Sequence, residues 1–263
     1  MIYSQLSLST GGGIVSEMQQ AEQVKNTATV LIGLGGTGID CLREIKKAVR
    51  ERLKPDDPNA LVPSYDHIRF LAVDTDLKND SLGLFDSTEF FDISNPDIKG
   101  ALKKKTVVES RRELDWLDTE KINTADIADA GAGGFRQAGR YMLMDRSNMF
   151  LDKVKELIKS AKMGAGAASV YVHVFSGLSG GTGSGCFLDA CYLIRQAIAE
   201  EAGATAKLFG YFFLPDVNLA KIPSSASLVR DYVPKNGYAA MQELDYCMRL
   251  EQNGGTFTQI YKG

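Results

Sequence analysis

Seven residues constrain this chain more than any others: Ser179-Gly180-Gly181-Thr182-Gly183-Ser184-Gly185 holds four glycines, two serines and a threonine. An apolar run, Val170-Tyr171-Val172-His173-Val174-Phe175, precedes it, and an apolar helical pattern starts after it at Cys186. A buried strand, a loop of nearly bare backbone and a helix N-terminus, in that order, make an anion site. Glycines let successive N–H groups approach phosphate oxygens, and Thr182 and Ser184 add hydroxyl donors. A strand-to-helix turn without a ligand needs one or two glycines, so four point to a bound phosphate.

Two further segments repeat the theme. Ala28-Thr29-Val30-Leu31-Ile32 reads as a buried strand running into Gly33-Leu34-Gly35-Gly36-Thr37-Gly38-Ile39-Asp40, and Cys41 to Leu53 continues as a helix with Leu42, Ile45, Val49 and Leu53 at helical spacing. Alone, G-x-G-x-x-G equally suits a nicotinamide or flavin dinucleotide enzyme. Ile68 to Val73 is a second strand, ending in Asp74-Thr75-Asp76. On an extended chain the two acids share a side at the carboxyl edge of the strand, where both could reach waters around Mg²⁺. A solvated acid pair is the plain alternative.

The loop at Ser179 to Gly185 resembles the signature loop of the tubulin and FtsZ family, which holds nucleotide phosphates. The first loop and the acid doublet resemble that family's first and second loops, with Asp40 where the family commonly has Asn. Gly131-Ala132-Gly133-Gly134, followed by Phe135 and then Gly139-Arg140, is similar to its third. The resemblance implies a Rossmann-like, three-layer α/β/α domain with a mostly parallel sheet. It also implies GTP or GDP with Mg²⁺ as cofactors, phosphate on Gly35, Gly36, Thr37, Gly133, Gly134, Ser179, Gly180, Gly181, Thr182 and Gly183, and metal waters on Asp74 and Asp76. Arg136, Arg140 and Arg146 are candidate charge partners, each equally suited to a structural salt bridge. Beyond the strand Lys207 to Leu214 the family carries a ribose-binding glutamate four residues after a proline. Here Leu219 occupies that spacing after Pro215, leaving Asp216 as the nearest substitute. Asn236, at the start of the last helix, has an amide able to read a guanine edge, or to cap the helix.

Other features set bounds. Residues 1–27, with Gly11-Gly12-Gly13 and a Gln/Glu stretch, read as a flexible arm or an interaction tail, and 28–263 as the nucleotide-binding domain. Met149 to Met163 has helical spacing. Lys103-Lys104-Lys105 reads as a solvated face, and Trp116 as a packing anchor rather than a base-stacking platform. The formal charge of −3 gives no reason to expect nucleic acid, and Cys41, Cys186, Cys191 and Cys247 with two histidines suggest neither disulfides nor zinc. No apolar run spans a membrane and no signal pattern is evident, so a soluble cytoplasmic protein is expected.

The family's central helix, the acid that activates water and its second domain have no counterpart in these residues. The expectation is therefore a piece of a longer GTPase that assembles head to tail into filaments, each site completed by its neighbour, slow or inactive as this chain. No catalytic residue is assignable. A nucleotide-gated interaction module that does not polymerise, and an NAD- or FAD-binding enzyme using only the first loop, are the alternatives.

Overall fold

The computed structural model describes residues 27–53, 65–76, 80–95, 97–98, 100, 114–118, 120, 131–166, 169–202, 206–250, 252–256, 259 and 261. The expected arm at 1–27 lies outside them except for Thr27, as do Lys103-Lys104-Lys105.

Five strands form one parallel sheet in the order β3-β2-β1-β4-β5. They are β1 (Thr27–Leu34), β2 (Ile68–Asp74), β3 (Phe90–Asp92), β4 (Ser169–Gly177) and β5 (Lys207–Phe213). The apolar runs of β1, β2 and β4 follow from burial on both faces, which removes any need for polar alternation, whereas the edge strand β5 keeps Phe209 and Tyr211 exposed. The helices are α1 (Gly35–Arg52), α2 (Arg136–Asp145), α3 (Ser147–Ala165), α4 (Thr182–Glu201), α5 (Pro215–Lys221) and α6 (Ser227–Arg249). One face of the sheet packs Val30, Ile32, Val172 and Val174 against Phe150, Val154 and Ile158 of α3 and Phe187, Ala190 and Ile194 of α4. The other packs Leu31, Phe70 and Phe175 against Leu42, Ile45 and Val49 of α1. This is the expected three-layer Rossmann-like α/β/α fold, with every strand parallel.

β1 lies at the centre, and the chain leaves it towards β2 on one side while β4 flanks it on the other. That is the topological switch point at which open α/β sheets bind ligands. Register pairs Leu34 with Ser176, so the carboxyl ends of β1 and β4 finish side by side.

Three helix starts differ from expectation. α1 and α4 begin at Gly35 and Thr182, inside the glycine loops, because the glycines enter the helices and do not precede them. α6 begins at Ser227 and runs through Pro234, so Asn236 is mid-helix and is not a cap. The proline removes one N–H to the carbonyl four residues back, and packing of Ala240 and Leu244 into the core compensates.

Candidate functional site

The three glycine loops and the end of β2 come together. A Cβ added at Gly183 would lie 2.7 Å from Leu34 O, and one at Gly181 would lie 2.8 Å from Ala132 Cβ and 2.9 Å from Gly134 N. The first turn of α4 is therefore wedged between the first loop and the third. Thr75 joins the same point: its hydroxyl pairs with that of Thr182 at 2.7 Å and accepts from Ala132 N at 3.0 Å. Asn236 reaches in from α6 and donates to Gly134 O at 2.8 Å and Ser179 O at 2.9 Å. Both of its N–H bonds are thereby held by carbonyls, which leaves Oδ1 alone to meet a ligand.

A cleft of about 170 Å³ opens between the first loop and the loop after β4, lined by Leu34, Gly35, Gly36, Thr37, Gly177, Gly180, Gly181, Thr182, Gly183 and Asn218. No ionisable side chain is among these described residues. Both helices that start here lack a side-chain N-cap and an acid in the first turn. Their leading N–H groups and positive dipole ends thus meet no acid of their own first turns and none in the described cleft lining. Gly35 takes φ +65°, a conformation that sends the chain sharply from β1 into α1.

The glycine count has a second cause. Gly181 and Gly183 touch neighbouring backbone, so a side chain there collides with protein and not with a ligand. At Gly180, by contrast, an added Cβ has only Asn218 Nδ2 near it, at 4.0 Å. Gly180 is the loop glycine left bare towards the cleft.

The remaining expected residues scatter. Asp40 pairs with Lys221 Nζ at 2.6 Å and lies beside Arg43, outside the cleft lining. Asp216 is exposed on the first turn of α5. Gly134 backs onto Gly181, and neither it nor Gly133 lines the cleft. Ser179 is buried, and its Oγ is one of two buried side-chain oxygens without a hydrogen bond among the described residues. Asp74 is buried and accepts from Thr75 N at 2.7 Å, whereas Asp76 is exposed next to Gly131. The alternation that would put both acids on one side ends with β2 at Asp74.

None of the three arginines faces the cleft. Arg136 pairs with Glu243 and donates to Ser184 Oγ at 2.7 Å. Arg140 holds Asp189 at 2.7 Å and stacks 4.2 Å over Trp116, whose ring packs beside the small core around Tyr141 and Met142. Arg146 donates to the carbonyls of Asp92 and Ser94. A larger cavity of about 320 Å³ lies among these groups, bounded by Trp116, Arg140, Phe187 and Tyr246. Its two guanidinium groups, of Arg136 and Arg140, are already neutralised by Glu243 and Asp189, so its chemistry does not suit an anion.

Sequence reading missed Thr75 and Asn218. Thr75 stands between the two acids Asp74 and Asp76, whose charge is the stronger signal, and Asn218 precedes by one residue the position where the resemblance implies an acid.

A family model described as "Tubulin like" matches residues 30–263. A search of curated proteins finds no match. Seventeen chains of solved structures match. One is CetZ2 from Haloferax volcanii, in a GTPγS-bound protofilament, at 17% identity and a TM-score of 0.34, covering 81% of this chain and 56% of that one. The chain thus spans little more than half the length of that relative. No helix among the described residues is long and apolar enough to cross a membrane.

Proposed function

Because the chain belongs to the tubulin-like family, we propose that it binds a guanine nucleotide, with the phosphates seated in the cleft between β1 and β4. One observation carries this: two uncapped helix N-termini, free of acids in their first turns and rich in glycine, converge at the switch point of a parallel sheet. The backbone N–H groups of Gly35, Gly36, Gly180, Gly181, Thr182 and Gly183 would cradle the phosphates. Gly134, packed behind Gly181, would sense the terminal one through that contact, with Gly133 beside it in the same loop.

The donors present fit a hydrated Mg²⁺ held chiefly by the nucleotide: exposed Asp76 would order its waters, and buried Asp74, which accepts from Thr75 N, would fix the turn that carries Asp76. They do not fit a metal caged by protein, since no group of three His, Cys, Asp or Glu side chains converges among the described residues.

The neutral lining holds no general base, so this chain binds nucleotide without rapid hydrolysis. Hydrolysis would require an acid delivered from elsewhere, which suits head-to-tail assembly of longer forms into filaments. Sedimentation with GTP, with GDP and without nucleotide tests the assembly. Pelleting only with GTP supports filament formation, whereas tight GTP binding without pelleting supports the interaction module.

A further inference from the structure

We propose that Asn218 is a phosphate-reading residue, carried on α5 as one wall of the cleft; this rests on the nucleotide reading above. The resemblance implies an acid on this segment directed at the sugar, but Leu219 stands at that spacing, and the side chain that turns into the cleft is Asn218.

Its amide is oriented by one contact. Thr37 Oγ1 donates to Asn218 Oδ1 at 3.0 Å, which uses the acceptor and leaves the Nδ2 group. That nitrogen sits above Gly180, 4.0 Å from where a Cβ would stand, and it donates to nothing else among the described residues. The glycine loop, through Gly180 to Gly183, lines the same space. A neutral N–H donor above a glycine loop suits a phosphate oxygen, whereas a carboxylate there would repel it.

A second contact supports the same geometry. Lys221, three residues after Asn218, pairs with Asp40, three residues after Thr37, so α5 is fastened to α1 at two points one helical turn apart. Thus closed, the cleft of about 170 Å³ is smaller than the roughly 300–1,000 Å³ of ordinary small-molecule sites. It admits the phosphate tail, and sugar and base lie beyond α5. Placing Asn218 over a phosphate therefore couples occupancy of the cleft to the position of α5.

The test measures affinities of the wild type, Asn218→Ala and Asn218→Asp for GTP and for 2′,3′-dideoxy-GTP by calorimetry. Loss of one hydrogen bond to a charged group predicts a drop of about 10- to 100-fold for Asn218→Ala. Asn218→Asp keeps the acceptor for Thr37 but sets a carboxylate against the phosphate, so it falls by about another tenfold. Both drops are equal for the two nucleotides, because no sugar hydroxyl takes part. Asn218→Asp binding GTP as well as the wild type overturns the proposal, as does a loss that disappears with the dideoxy nucleotide, which marks a sugar contact. A wild type that binds neither nucleotide overturns the underlying reading, and this one with it. Unchanged melting of both variants without nucleotide separates lost contact from lost fold.

Discussion

Two glycines three residues apart in one loop have opposite consequences when replaced by alanine. At Gly183 an added Cβ lies 2.7 Å from Leu34 O, 2.8 Å from Ser176 Oγ and 3.1 Å from Gly177 O, and two of these are carbonyls anchored in central strands. Overpacking of this kind costs about 1–3 kcal/mol. The alanine recovers up to about 1 kcal/mol of helix propensity in the first turn of α4, so the clash prevails. At about 2–4 °C per kcal/mol for a chain of this size, Gly183→Ala melts several degrees below wild type without any ligand. Gly180 has no positive φ and faces the cleft, so Gly180→Ala is neutral or gains about 0.4–1 kcal/mol from a stiffer unfolded chain. Its methyl stands where a phosphate would approach, so it loses nucleotide affinity all the same. Urea unfolding of nucleotide-free protein reads the first effect and calorimetry with GTP the second. A Gly183→Ala protein as stable as wild type, or a Gly180→Ala protein that binds GTP undiminished, refutes the division of the loop into packing and ligand glycines.

Other substitutions follow from single contacts. Thr75→Val keeps the shape but leaves Ala132 N and the Thr182 hydroxyl without their partner, costing about 1–3 kcal/mol, while Thr75→Ser restores it; equal urea midpoints for all three proteins would remove Thr75 from its role. Lys46 is buried against Glu89 with Phe70 and Phe85 beside its ammonium, so Glu89→Gln strands a charge and costs about 3–5 kcal/mol. Pairing Lys46→Met with Glu89→Leu recovers most of that loss, and a single Glu89→Gln that melts like wild type contradicts the pairing. Burial lowers the pKa of both His67 and His173 from the ordinary 6.5. Below pH 6.5 the unfolded chain therefore takes up protons before the folded one, and stability falls as pH drops through that window. Melting at pH 7.5 and 5.5 reads the slope, which His173→Gln makes shallower; an unchanged slope clears His173 of a part in it.

Four of the five strands and the meeting of the loops are legible because the central strands β1, β2 and β4 are continuous apolar runs and glycine clusters sit where those runs stop; β3, three residues long, is too short to leave such a run. What sequence could not separate is the reason for each glycine. Gly180 and Gly183 look alike in the chain, and only the approach of Leu34 O distinguishes them. The arginines were equally opaque, since Arg136 and Glu243 pair across 107 positions. Asp74 and Asp76 were placed together by an alternation that holds only while the strand lasts, and it stops at Asp74. Pro234 makes Asn236 look like a helix start, although α6 runs unbroken from Ser227 through that proline.

Calorimetric titration of nucleotide-free protein with GTP, run in parallel on Gly180→Ala, tests the nucleotide cleft most directly. One site per chain with micromolar or tighter affinity in the wild type, sharply weakened in a variant that unfolds no earlier, is the predicted result. No saturable heat from the wild type, or identical curves for the two proteins, contradicts it.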